Sequence, residues 1–122
     1  TNAPIIVTIH SFTPIYNGKN RAVEIGVLHD SDTRLADAFL NTATEHCALN
    51  VQRNEPYGPE HGVTHTLTQH AIPNGHLNVM LEIRNDLIAT HEQQQKMAKN
   101  LTKWLIAACQ QTGTKGDVRC VA

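Results

Sequence analysis

Residues 4–9 read Pro-Ile-Ile-Val-Thr-Ile, an unbroken apolar and β-branched run that ends on His10. A run with no charge on either alternating face suits a strand buried on both sides of a parallel sheet. Residues 77–84 (LNVMLEIR) repeat the pattern, and residues 22–28 (AVEIGVL) and 49–53 (LNVQR) add two shorter strands. Residues 10–20 carry Pro14 and Asn17-Gly18 and read as a loop.

Helical periodicity falls between the strands. Asp30-Ser31-Asp32 offers caps and negative charge at a helix N-terminus, and the helix spans about Thr33 to His46. Leu35, Ala38, Phe39 and Thr42 share its buried face. Two prolines and two glycines make 54–62 a loop, 63–71 reads as a short helix, and Pro73-Asn74-Gly75 is a turn. Thr90 with Gln93 forms a capping box. The helix it opens presents Met97, Leu101, Trp104, Leu105 and Ala108 on one face and stops at Gly113. The tail to Ala122 has no strong pattern. Strands alternating with helices predict a single α/β unit over residues 1–122, with a mixed, largely parallel sheet flanked by helices.

Composition removes several function classes. Net charge is −1 over 122 residues, with no basic patch to hold a nucleic acid or an anionic membrane surface. No apolar run approaches the roughly 20 residues of a membrane span. Cys47, Cys109 and Cys120 are odd in number and lack CxxC spacing, which, with no visible signal peptide, points to a reducing, cytoplasmic setting. The chain lacks an initiator methionine and starts its first strand almost at once, so it reads as an interior piece of a longer protein.

Two ionisable residues sit where strands of an α/β sheet end, which is where such sheets collect their sites. His10 closes the first run, and Glu82 lies two residues from the end of the last. A carboxylate on an apolar strand is costly unless paired, solvated or bound to a metal. Plain alternatives stand beside each: His10 as a strand-end imidazole bonded to a loop, Glu82 as the ion-pair partner of Arg84 on the same face. Arg84 and Arg21 are candidate carboxylate clamps, or else surface and structural cations. Asn85 could bond a substrate or cap the following turn. His91-Glu92 begins like HExxH, but Gln95 stands where the second histidine would be. Thr114-Lys115-Gly116 lacks the strand–loop–helix setting of a phosphate loop.

Four blocks, VTIHSFTPIYNG, IGVLHDSDTRLADAFL, NEPYGPEHGVTHTLTQHA and LNVMLEIRNDLI, run in that order from about Pro4 to about Leu105. Together they resemble the N-formylglutamate amidohydrolase family, over roughly the carboxyl-terminal half of its usual length. That family is similar in turn to zinc carboxypeptidases and aspartoacylases, so the resemblance implies the second half of a zinc-carboxypeptidase-like, phosphorylase/hydrolase-like fold. It implies Zn²⁺ as cofactor, His10 as a zinc ligand and Glu82 as general base, acting on a small N-acyl amino acid such as N-formyl-L-glutamate. Tyr57 in the NEPY block could donate to substrate or oxyanion, with Asn54 and Glu55 ordering the loop; a Pro-Tyr turn that only packs is the alternative. His65 and His70 match a stretch where a pocket role fits.

A catalytic zinc of this kind takes three protein ligands. The resemblance implies that a histidine and an acidic residue come from the earlier half, and no His-x-x-Glu pair occurs in this chain. Either a missing amino-terminal half or another chain completes the site, or the unit is a non-catalytic fragment or ligand-binding module. A fragment also predicts exposed apolar surface where the rest would pack.

Overall fold

A computed structural model describes residues 4–113, which form a four-stranded mixed sheet with helices on one face and an irregular segment on the other. The tail, including Thr114–Gly116 and Cys120, lies outside the described residues. In chain order the strands are β1 (Ile6–Phe12), β2 (Ile15–Tyr16), β3 (Lys19–Asn20), β4 (Ile25–Leu28), β5 (Val51–Arg53) and β6 (Asn78–Arg84). The helices are α1 (Arg34–Asn41), α2 (Ala43–His46) and α3 (His91–Gln111). Sheet order is β1-β6-β4-β5, with β1–β6 and β4–β5 parallel and β4–β6 antiparallel.

The sheet matches the mixed, largely parallel expectation, but four local readings change. β1 is an edge strand rather than one buried on both faces: Ile9 is 60% exposed. Its apolar run suits a central strand, yet among the described residues only β6 lies beside it. Residues 10–20 are not simply loop. β1 continues through Phe12, and β2 and β3 form a small hairpin around Asn17 and Gly18. Both turn residues have positive φ, 51° and 74°, the geometry Asn-Gly favours in a two-residue hairpin. The helix expected over 33–46 breaks at Thr42 into α1 and α2, because Thr42 Oγ1 turns back to the Ala38 carbonyl at 2.8 Å. Residues 67–74 wind as a π turn (Leu67–Ala71) followed by a 3₁₀ turn (Ile72–Asn74), rather than as a regular helix.

Side chains alternate between the two faces. Val7, Ile9, Leu81, Ile83, Ile25 and Val27 point toward α1 and α3, where most of the core sits. Trp104 anchors this face. Its ring lies 5.1 Å from that of Phe39, and its Nε1–H donates to the Phe39 carbonyl (2.9 Å) and to Thr42 Oγ1 (3.2 Å). The capping box at Thr90 forms as expected, with Gln93 N–H donating to Thr90 Oγ1 and Thr90 N–H to Gln93 Oε1. On the opposite face, Leu28 and Met80 pack against Leu67, Val63, Tyr57 and Ile6, so residues 54–76 cover the sheet there.

Exposed large apolar side chains gather near one edge. Ile9 lies on β1 and Ile15 and Tyr16 in the hairpin that follows it. Beside them, Val7, Ile9, Ile88, Met97, Leu101 and Leu105 line an apolar groove of about 320 Å³ between β1 and α3. Exposed apolar surface was expected where further polypeptide would pack. No described helix is long and apolar enough to cross a membrane.

Replacing Trp104 by Phe removes the indole donor to the Phe39 carbonyl and Thr42 Oγ1 while keeping an aromatic ring in place. We expect Trp104→Phe to lower unfolding free energy by about 1–3 kcal/mol, read from the urea midpoint at unchanged m-value.

Candidate functional site

Parallel pairing of β1 with β6 sets His10 level with Glu82. Adjacent strands lie about 4.8 Å apart, so the two side chains emerge as neighbours from the same face. Gly26 of β4 is level with Glu82 on its other side. This is the face covered by residues 54–76, not the one packed against α1 and α3. Two strand ends thus converge, as expected for an α/β sheet.

Glu82 is 4% exposed, and its Oε2 has no hydrogen-bond partner. Burial pushes its carboxyl pKa above the ordinary glutamate range, opposed by the nearby His10 and Arg21. His10 is exposed, and among the described residues its imidazole makes no hydrogen bond. A free imidazole beside a desolvated carboxylate oxygen suits one ligand and one base of a metal centre. Among the described residues, however, no group of three His, Cys, Asp or Glu side chains is placed to hold a metal ion. The fit is to one corner of such a centre.

The arginines divide. Arg84 does not pair with Glu82. Its guanidinium takes Asp86 at 2.7 and 3.1 Å, approaches Glu24 at 3.8 Å and donates to the Arg21 carbonyl at 2.9 Å. That contact holds the Asp86 carboxyl below its usual range. The alternative of a Glu82–Arg84 ion pair is therefore not realised, because Asp86 offers a two-pronged partner two residues on. Among the described residues Arg21 makes no hydrogen bond or ion pair with a carboxylate, although it lies near enough to Glu82 to act on its charge. It donates to Tyr57 Oη (2.9 Å) and the Thr13 carbonyl (3.1 Å), with the Phe12, Tyr16 and Tyr57 rings within 4.6–5.5 Å of its guanidinium carbon. Three aromatic faces hold this cation in place while leaving N–H groups unused. Tyr57 accepts from Arg21, so its own proton remains available.

Asn85 is exposed at the start of a 3₁₀ turn (Asn85–Ile88). His65 and His70 are exposed on the covering segment, and nothing ties their side chains to the His10–Glu82 pair. His61 Nδ1 accepts from the Gly58 N–H at 2.9 Å, and its ring lies edge-on to Tyr57.

Two features carry no obvious sequence signal. Gly26 has an unremarkable backbone, yet a Cβ there would run into the Glu55 carbonyl oxygen. The NEPY loop can cross the sheet only because β4 has no side chain at that point. The second is a polar cluster at the other end of β4. Asp30, expected as a helix cap, instead accepts from Thr64 Oγ1 (2.6 Å), and His29 contacts Arg53, Asn54 and the Asp30 carbonyl. Only the short HDSD string hinted at it.

Fold and site thus define a mixed α/β protein with an imidazole–carboxylate pair at adjoining strand ends, flanked by a caged arginine. Residues 1–89 match the family model described as N-formylglutamate amidohydrolase, so the chain belongs to that family. It is also similar to a solved structure, that of gene product Atu2144 from Agrobacterium tumefaciens. The two are 54% identical with a TM-score of 0.83, over 89% of this chain and 44% of that one. The chain therefore spans less than half the length of that relative. No curated protein matches it.

Two outcomes follow from this geometry. Burial raises the Glu82 pKa in the folded state, so folding favours the protonated acid. That contribution is complete below the ordinary glutamate pKa and is lost as pH rises through the raised value. In metal-free protein, Glu82→Gln should be more stable than wild type at about pH 7, with the advantage shrinking by about pH 4; urea midpoints at both pH values measure it. Gly26→Ala should cost at least about 1–3 kcal/mol, as overpacking does, and should shift the Tyr57 ring resonances in NMR spectra as the loop lifts.

Proposed function

We propose that this unit forms part of a metal-dependent hydrolase that cleaves N-formyl-L-glutamate, or a closely related N-acyl amino acid, to formate and the free amino acid. The observation that carries this reading is the level pairing of an unbonded His10 with the buried, unpartnered Oε2 of Glu82. A zinc ion held partly by His10 would polarise the formyl carbonyl and acidify a bound water. Glu82 Oε2 accepts a proton from the attacking water, the carbonyl carbon gains an oxygen, and the C–N bond breaks. The proton then passes from Glu82 to the departing amine. Burial of Glu82 raises its basicity toward that task.

Arg21 takes a substrate carboxylate, since Arg84 is engaged by Asp86. The free Tyr57 proton reaches a second substrate oxygen. Asn85 borders the same strand end, and His65 and His70, exposed on the covering segment, complete the pocket. The remaining metal ligands come from polypeptide that packs along the exposed β1 edge, beside His10. A second reading, a ligand-binding unit with no catalytic metal, is favoured by one observation: the ligand set is incomplete among the described residues.

Metal content and formate release separate the two. A full-length parent should bind stoichiometric zinc and release formate from N-formyl-L-glutamate. There, Glu82→Gln should retain zinc and lose turnover by about 100-fold or more, and His10→Ala should lose zinc. Normal turnover with Glu82→Gln removes the base assignment, and undiminished zinc affinity with His10→Ala removes the ligand assignment. A parent that binds no zinc and releases no formate leaves the binding-unit reading.

A further inference from the structure

We infer that the groove between α3 and the turn from α2 to β5 is a docking site for an acidic amphipathic helix of a partner protein. It lies behind the sheet from His10 and Glu82, so the inference goes beyond the hydrolase reading and does not depend on it. The groove has a volume of about 570 Å³, with an apolar floor of Cys47, Leu49, Leu87 and Met97. Burial pushes the Cys47 thiol pKa up, so the floor is uncharged at neutral pH. Lys96, Lys99 and Lys103 line it from α3. The apolar groove beside the open β1 edge runs along the other flank of α3, past Ala98, Leu101 and Leu105, and the two grooves share only Met97.

The lysines are an unusual feature of this helix. Lys96 and Lys99 are three residues apart and Lys99 and Lys103 four, so a helix gathers them on one stripe. At these spacings like charges oppose one another and weaken a helix. Among the described residues none of the three ammonium groups makes an ion pair or hydrogen bond. No acidic residue lines the groove. Glu92 stands four residues before Lys96 but does not pair with it, and Glu24, near Cys47, is taken by the Asn50 N–H and Arg84. A chain of net charge −1 thus keeps three uncompensated cations in a row above an apolar floor.

That pairing of features selects the occupant. The three lysines follow one another at about 4.5 and 6 Å along the helix axis, the spacing of acidic side chains at i, i+3 and i+7 on a second helix. A helix laid in the groove sets its carboxylates against this row and its apolar stripe on Leu49, Leu87 and Met97. A single-headed fatty acid would satisfy one lysine and leave two opposed. A nucleotide would find no Phe, Tyr or Trp in the groove on which to stack its base. A membrane surface is flat, and this site is concave.

The probe is a synthetic helix-forming peptide with Glu at i, i+3 and i+7 and Leu along the adjoining stripe. Titrated into the 122-residue chain and followed by NMR, it should shift the Leu49, Leu87 and Met97 amides saturably. Raising NaCl from about 0.05 to about 0.5 M should weaken binding about tenfold. The Lys96→Gln/Lys99→Gln/Lys103→Gln variant should bind at least about tenfold more weakly yet melt no lower than wild type, because removing like-charge neighbours relieves α3. The same peptide with Lys in place of Glu should not bind. A triple variant that binds like wild type, or shifts confined to the β1–α3 groove, overturns the inference. So does a groove that takes dodecanoate or phosphatidylserine vesicles but not the peptide. Repeated on a full-length parent, retained binding supports partner docking, whereas loss of binding means that the parent's own polypeptide covers the lysines and overturns it. Formate release enters none of these readings, so they stand or fall separately from the hydrolase reading.

Discussion

The register between β1 and β6 is the constraint on which the rest of this molecule depends. A slip of one residue would turn His10 toward α3 and bury nothing of use beside Glu82. Because β6 is sandwiched between a parallel and an antiparallel neighbour, its side chains are fixed from both sides. Every residue of β6 before Arg84 is buried. A rigid central strand is the natural place for a desolvated carboxylate, since a mobile one would find water and lose its raised pKa.

The two faces of the sheet divide the labour. Toward α1 and α3, aliphatic side chains close around Trp104, whose indole N–H meets Phe39 and Thr42. That face supplies stability. Toward residues 54–76 the covering is irregular, with π and 3₁₀ turns, a glycine left bare at Gly26 and an asparagine at positive φ. This irregular covering crosses the sheet at Gly26 and brings Tyr57 to Arg21.

Much of this was legible in the residues, for reasons that differ from element to element. Strands β1 and β6 show as apolar runs, and α3 shows through its cap and its 3.6-residue periodicity; pattern and burial agree in β6 and α3, whereas β1 carries its apolar run to an edge. His10 and Glu82 stand out as ionisable groups where a strand end needs none. What stayed hidden depends on distant partners. Arg84 reads by spacing as a structural mate of Glu82, yet its guanidinium is taken by both oxygens of Asp86. Asp30 reads as a helix cap, yet Thr64, thirty-four positions away, claims it. Gly26 is one of seven glycines, and nothing local marks the Glu55 carbonyl that passes over it.

The edge position of β1 ties these threads together. An edge strand of seven residues without lysine or proline, and with Ile9 largely exposed, lacks the usual protection against further pairing. By contrast the other edge, β5, is three residues long and carries Gln52 and Arg53. Among the described residues one edge is thus blunted and the other left open. The open one carries His10, the imidazole with a free lone pair and too few companions to hold a metal. A strand added there would extend the sheet and lie beside His10 on the site face, so the open edge and the proposed metal site call for the same polypeptide.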